Sequence, residues 1–499
     1  MRLDEVNLAD VDLFTSGDPH VVWQTLRAER PVFWQAQPGG EGFWAVTRQA
    51  DVRRVLSEYE TFSSESGTAI NMLGAADPSA GLMMHSTDPP RHRQFRQPLG
   101  KRFSAQATAS YQKQIRSFVR DAMAPALDGE IWDAADSFAR LPMAVAAMMM
   151  RLPSEDVDLL VRLAYASLAP HDERYSSGSD KITSAFAHYE IIRYFYGYIA
   201  ERRATPSDDL ISYLVTMEVD GRLLNDEEIL VNCLSLLLGA VVTTSQVINA
   251  TFIALAEMNN GEGRWPTATV ASSAVEEALR WSSPVTHFMR RASSDVEMHG
   301  EKIKAGDAVT AWIGSANRDE AVFDRPYTLD FRRSPNRHIT FGYGPHRCLG
   351  SHLARHMLQE SFEQLAADVE SFELAGPPRH LSSNEIAGVV SLPLRLEFRD
   401  RKPLGDLHAG SLYRRDQQCS LRDAAQRCDL PHCIPSERLP AEPQLRFGRY
   451  QGIVPGQPAA TATRNVEQHD RFSLNSAVGD RVLQACDGYC GGWFYVYSL

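Results

Sequence analysis

Phe341-Gly342-Tyr343-Gly344-Pro345-His346-Arg347-Cys348-Leu349-Gly350 is the stretch on which the reading of this chain turns. Glycines at 342, 344 and 350 surround a single cysteine, and the run Ser351-His352-Leu353-Ala354-Arg355-His356-Met357 that follows is compatible with a helix. Glycine permits tight turns and a close approach of the backbone to a bound group. A helix beginning just after Cys348 brings amide donors and a positive dipole end towards the sulfur, and both favour a thiolate. On these grounds alone a second reading stays open. Cys348 could equally be a small buried hydrophobe in a Gly-rich turn, the usual place of a lone intracellular cysteine.

The rest of the chain bounds what that cysteine can do. With 499 residues, 43% of them hydrophobic and 23% charged, the chain can bury a large core. A net charge of -12 opposes general attraction to nucleic acid or anionic membranes, so the expected partners are small molecules or locally complementary proteins. The N-terminal run from Met1 to Asp10 carries acids and no apolar stretch, so neither a secretory signal nor a membrane anchor is expected there, and a cytoplasmic location is. The longest apolar stretch, Ile229 to Ala250, is about as long as a membrane span, but Asn232, Ser235, Gly239, Gln246 and Asn249 interrupt it. It reads as a buried core helix. Of the seven cysteines only Cys233 and Cys348 precede residue 400, which is no disulfide framework.

Up to about residue 400 the pattern is of helices separated by short strand pairs, without repeats. Phe43-Trp44-Ala45-Val46 predicts a strand, Gln49 to Glu58 a helix, and Ala105 to Leu127 one long amphipathic helix. Asn225-Asp226-Glu227-Glu228 supplies a capped, acidic start to the long helix that runs towards Glu257. Val296 to Val309, with Gly300 and Gly306, reads as a hairpin and its strands, and Ser391 to Leu396 as a closing strand. Residues 401–499 hold five cysteines and seven prolines with little helical periodicity, so a domain boundary is placed near 400. This C-terminal extension reads as a small appended domain or a flexible tail. Cys419, Cys428, His432, Cys433, Cys486 and Cys490 fit no familiar zinc spacing, and no function is assigned to it.

The segment 341–350 closely resembles the haem-binding loop of the cytochrome P450 family, matching Phe-Gly-x-Gly-x-His-x-Cys-x-Gly at every defined position. The resemblance covers about residues 10–400. It implies a mainly α fold with small β-sheets and haem b, iron protoporphyrin IX, between the long central helix and the helix after the Cys loop. Cys348 is then the axial thiolate ligand of the haem iron, a ligand that favours cleavage of the oxygen-oxygen bond. Phe341 becomes a packing neighbour of the sulfur, Gly342 and Gly350 part of the cradle, and His346 a donor to a haem propionate.

Other elements fall in the order this resemblance requires. Glu277-Ala278-Leu279-Arg280 puts a carboxylate and a guanidinium on one helix face, which alone is a weak signal. In the family such a pair is buried and locks the Cys loop, so Glu277 and Arg280 are assigned to scaffold. Arg91, Arg93, Arg96, Lys101 and Arg102 form a basic segment that contains no acid and reads by itself as a solvated face. By resemblance His92, Arg96 and Arg290 join His346 as propionate partners. With Arg347 and Arg355, this surface is expected to dock an acidic electron-transfer protein. No nucleotide motif is present, so a ferredoxin and ferredoxin reductase are implied as partners, with O2 and a small-molecule substrate.

The central helix departs from the family pattern. Leu238-Gly239-Ala240-Val241-Val242-Thr243-Thr244 aligns with the small-Gly-x-acid-Thr segment over the distal haem face, with Ala240 near the cofactor and Thr243 and Thr244 as catalytic candidates. Val242 stands where the family has an acid, which removes one titratable member of the proton relay. Protons are then expected from water or from a substrate hydroxyl or amine. An atypical oxidation such as aromatic coupling, ring closure or nitration is the alternative, and a non-catalytic haem sensor the rival class. Substrate is expected to meet the Gly67–His85 loop, Val241, Val285, His287, Phe288, Val389 and Val390. Met72, Met83 and Met84 would give an adaptable apolar wall, suited to a small hydrophobic or aromatic molecule of secondary metabolism.

Overall fold

A computed structural model describes residues 3–37, 39–266 and 271–399, so the predicted extension at 401–499 lies outside the described residues. Helix Asp226–Glu257 is the axis around which the rest is built. Its start is fixed by a reciprocal capping box. The Asn225 side chain accepts from the Glu228 amide at 2.8 Å, and the Glu228 carboxylate accepts from the Asn225 amide at 2.9 Å. Helices Ala134–Met150, Val157–Leu168, Asp180–Ala204, Ala271–Ser282 and Ser351–Asp368 all pack against it. Among the described residues it is the one helix long and apolar enough to cross a membrane, and 67% of its most apolar window is buried by these neighbours. Its lower half ends in an aromatic knot. Phe252 is fully buried and meets Trp265 and Phe372 edge-on, with ring centroids 4.7 and 4.8 Å away.

Against this helical body lies a five-stranded sheet in the order Val32–Gln35, Phe43–Val46, Ala308–Trp312, His287–Ala292, Phe62–Ser63. Strand Ala308–Trp312 is buried along its whole length, and its one polar side chain, Thr310, donates to the Trp44 carbonyl at 3.2 Å. It runs parallel to Phe43–Val46 and antiparallel to His287–Ala292, which carries Phe288 and Arg290. The predicted hairpin is Val296–Met298 with Glu301–Ile303. Its two central residues, His299 and Gly300, both have positive φ, 53° and 80°, as a type I′ turn demands.

One predicted element is broken. Ala105 to Leu127 forms two helices, Ala105–Ala109 and Gln112–Met123, followed by a 3-10 turn over Ala124–Asp128. The Thr108 and Ser110 hydroxyls donate back to carbonyls of their own turn, which competes with continuing the helix, and Pro125 lacks the amide the next turn needs.

Candidate active site

The Cys loop is shaped by contacts that only its glycines permit. Gly342 and Gly344 both sit at φ 73°, and a Cβ on Gly344 would meet the Leu56 carbonyl at 2.6 Å and Ser57 Cα at 2.7 Å. Between them, Tyr343 takes a hydrogen bond from Arg53 at 2.6 Å and lies under its guanidinium, pinning the loop to helix Gln49–Ser57. The Cys348 amide donates to Phe341 O at 2.7 Å, which closes the loop, and helix Ser351–Asp368 starts immediately beyond Gly350. Phe341 is stacked under the Arg355 guanidinium, 4.5 Å from its centroid, and Arg355 itself is held by Glu276 at 2.6 and 2.9 Å. Burial raises the Cys348 thiol pKa, opposed by the Gly350 amide and by Arg96, Arg347 and Arg355. In the protein alone desolvation thus outweighs the donors that were expected to favour a thiolate. The cysteine nonetheless keeps accessible surface although protein surrounds it, as a residue beside an internal space does.

The loop is anchored through a buried ion pair. Glu277 and Arg280 are both fully buried and joined at 2.7 and 2.8 Å. Arg280 also donates to the carbonyls of Asn317, Pro326 and Thr328, while Glu277 accepts from Arg333, Asn336 and the Asp330 amide. Asn317 then carries the constraint forward. Its side chain accepts from the Ile339 amide at 2.8 Å and donates to Thr340 Oγ1 at 2.9 Å, directly before Phe341. The scaffold assignment of Glu277 and Arg280 thereby has a physical route to the cysteine.

His92, Arg96, Arg290 and His346 converge beside it. The rings of His92 and His346 lie 4.3 Å apart, and both ring nitrogens of His92 are buried without a partner. Burial, with the charges of His346 and Arg96, drives the His92 pKa down to about 3. Arg290 is buried too and donates to the Met289 carbonyl, and desolvation pushes its pKa down to about 10. His346 is oriented by Ser64 Oγ at 3.1 Å and Asp88 at 3.8 Å. Burial acts to raise the Asp88 pKa, but hydrogen bonds from His346, Ser63 and Ser64 hold it at about 2. Buried donors and guanidinium charge with so few acceptors make a socket for a compact anion. The two propionates of iron protoporphyrin IX fit that socket.

Midway along the central helix, one face keeps accessible surface. Ser235, Leu236, Leu238, Gly239, Ala240 and Thr243 retain accessible surface in mid-helix, and Gly239 is the most open. Such a stripe needs a space beside it, and a Cβ on Gly239 would meet nothing within 4 Å. Thr243 lies on this face, its hydroxyl near Gly239 O at 3.5 Å. Thr244 and Val241 lie on the buried side at 5% and 0% exposure, and Val242 is buried as well, so these positions do not line the space.

The strand and loop positions separate in the same way. Val285 and Phe288 keep accessible surface. His287 does not: it accepts from the Ile70 amide at 3.2 Å, pairs with Thr286 Oγ1 at 3.0 Å and packs on Trp312, so it holds the Gly67–His85 loop from behind. Val389 and Val390 are also core. Gln246 brackets the Val389 backbone through bonds of 2.9 and 3.0 Å, and Arg174 donates to Val390 O. The accessible positions on that segment are Glu385, Ala387 and Gly388 instead. Met72, Met83 and Met84 are buried, the last tied through its amide to Asn232, so they form no adaptable wall. In the basic segment, Arg91 is paired with Asp220 and Glu228 and Arg102 with Asp208, which leaves Arg93, Lys101 and Arg347 exposed.

The comparisons with known proteins agree with this architecture. The family model for cytochrome P450 matches residues 268–395. Cytochrome P450 NovI of Streptomyces niveus is 34% identical over 413 residues, covering 79% of this chain and 97% of that protein. Linalool 8-monooxygenase of Pseudomonas putida is 29% identical, covering 78% and 98%. The crystal structure of P450 OxyD, involved in the biosynthesis of vancomycin-type antibiotics, is 35% identical with a TM-score of 0.70, covering 79% of this chain and all of that one. A thiol loop beneath a long helix, with an anion socket at its side, defines a haem-thiolate oxygenase of bacterial type. The chain belongs to the cytochrome P450 family. Its cofactor is haem b, and it is an oxidoreductase that incorporates oxygen, using O2, an organic substrate and a redox partner.

Proposed function

We propose that Cys348 would ligate the haem iron through its thiolate, and that His92, Arg96, Arg290 and His346 would receive the two propionates. When bound, the haem supplies the activation of dioxygen, which the thiolate promotes. Gly342 and Gly350 would let the backbone approach the ring, Phe341 would shield the sulfur, and Ala240 would leave room for the group beside the central helix. Thr243 presents a hydroxyl on the accessible stripe and orients a proton donor there. Val242, buried and uncharged, has no part in that relay, so the proton comes through water or through the substrate itself.

The substrate we propose is a small hydrophobic or aromatic molecule of secondary metabolism, held between Val285, Phe288 and the stripe of the central helix. The involvement of the similar P450 OxyD in the biosynthesis of vancomycin-type antibiotics supports this class. Electrons come from a ferredoxin and its reductase, docking on the exposed cations Arg93, Lys101 and Arg347. Residues 1–400 form the catalytic domain and 401–499 an extension, with the whole acting in the cytoplasm.

The observation that carries this reading is the convergence of an unpartnered His92 and a buried Arg290 beside a cysteine that keeps accessible surface within the protein. The test is the spectrum of the reduced, carbon monoxide-bound protein. The strongly red-shifted Soret band of thiolate ligation is expected for the intact chain and lost in Cys348→Ser, with far-ultraviolet circular dichroism unchanged. The same band after substitution would refute the ligand assignment.

A further inference from the structure

A carboxylate that no described residue balances sits where the strand wall meets the central helix. Glu385 lies between the short strands Arg379–His380 and Val389–Ser391, and its backbone is firmly placed. Its carbonyl accepts from the Thr286 amide at 2.9 Å, its amide donates to Ser383 Oγ at 3.2 Å, and Ile386 bridges Val285. Just beyond, Gly388 packs so tightly on Gln246 that a Cβ would lie 2.4 Å from its amide carbon. Gln246 is on the central helix shortly after Thr243. Glu385 is thus held between Val285 and the helix that bears the accessible stripe.

Its side chain makes no hydrogen bond or ion pair with any described residue, and it keeps accessible surface although protein surrounds it. An acid at the outer surface would be hydrated; one fully enclosed would need a cation or a donor. Glu385 keeps accessible surface and has no side-chain partner among the described residues. Desolvation raises its pKa to about 7.

We propose that Glu385 is a specificity residue of the substrate pocket and receives a cationic nitrogen, an ammonium or quaternary ammonium group, on an otherwise apolar or aromatic substrate. The proposal rests on the haem-thiolate reading of that pocket. The apolar part of the ligand packs on Val285 and Phe288, and its positive end replaces the water the carboxylate gives up. A neutral molecule of the same shape must instead bury the carboxylate unpaired or protonate it, so discrimination comes from the difference between the two.

The test uses the ferric holoenzyme of the full chain and two probes of equal shape, phenethyltrimethylammonium and its neutral tert-butyl analogue. Neither carries a nitrogen that can ligate iron, so a Soret shift reports occupation of the pocket alone. The cation is expected to bind at least about tenfold more tightly than its neutral twin, as one charged contact in a desolvated site provides. Glu385→Gln, which keeps size and removes charge, should abolish that preference, weakening the cation while the neutral probe binds as well as before or more tightly. Equal binding of the two probes by the wild type overturns the proposal, and so does a preference that survives in Glu385→Gln. It falls too if neither probe shifts the band, because the carboxylate then faces no accessible pocket. Failure of the underlying reading looks different: the reduced protein would lack the red-shifted carbon monoxide band before any probe is added.

Discussion

Replacing Glu277 by Gln tests whether the buried pair beneath the Cys loop holds that loop in place. The substitution keeps the shape of the side chain and removes the charge that balances Arg280, which is fully buried, and Arg333, which is 9% exposed. Breaking a buried pair from one side costs about 3–5 kcal/mol, because the surviving cation stays desolvated and unpaired. That is a large share of the roughly 5–15 kcal/mol that holds a protein folded. The loss should spread through Asn317 and Thr340 into the loop, so haem is released before the helices melt. Denaturant titration of the holoenzyme, followed at once by the Soret band and by circular dichroism, reads both events. A midpoint for haem release well below that of helix loss, with both below wild type, is expected. Added salt should not rescue it, since the pair is out of reach of counterions. The sign with pH also follows. Burial acts to raise the Glu277 pKa, but Arg280 overcomes this and the net shift is downward. Its contribution is therefore complete above the unfolded value of about 4.3 and lost as pH falls through the lower folded value. Glu277→Gln should flatten that acid limb. Wild-type midpoints in the variant, for haem and helix alike, would refute the reasoning.

Three further outcomes are expected. Arg290→Met should speed the transfer of haem to apomyoglobin while leaving the apoprotein as stable or more stable, since it removes a desolvated charge; an apoprotein destabilised by several kcal/mol would contradict this. Val242→Asp should lower thermal stability, because position 242 is 1% exposed and a buried carboxylate is costly, without improving the yield of product per electron consumed; better coupling would show that the valine limits proton supply. Burial holds the His287 pKa at about 3, below the unfolded value of about 6.5, so its contribution is full above pH ~6.5 and fades as pH falls towards 3. His287→Gln should reduce the slope of stability against pH in that window, and calorimetry across it would reveal an unchanged slope.

The residues that carry chemistry were legible wherever local pattern and function coincide. Cys348 with its glycines, Glu277 with Arg280, and the cap at Asn225 each declare themselves within a few residues of sequence. What was not legible depends on contacts between distant segments. Nothing near Asn317 or Thr340 marks them as the link between the ion pair and the loop, and Ser64 and Asp88 meet His346 only in the fold. The substrate segments show why apolar character is a poor guide to a pocket. Val241, Val389 and Val390 are apolar because they are core, and the surface left open there belongs to Gly239 and Glu385. The predicted helix from Ala105 to Leu127 failed for a local reason, hydroxyls that compete for their own carbonyls.

Gln246 has a further implication. By taking both the amide and the carbonyl of Val389, one side chain of the central helix stands in for a missing neighbouring strand. The turn bearing Glu385 is therefore held by main-chain atoms, whatever side chains it displays. If Glu385 faces substrate as proposed, substitutions there change what the enzyme accepts without loosening the frame, and a lineage could explore new substrates at that position while its oxygen chemistry is left untouched.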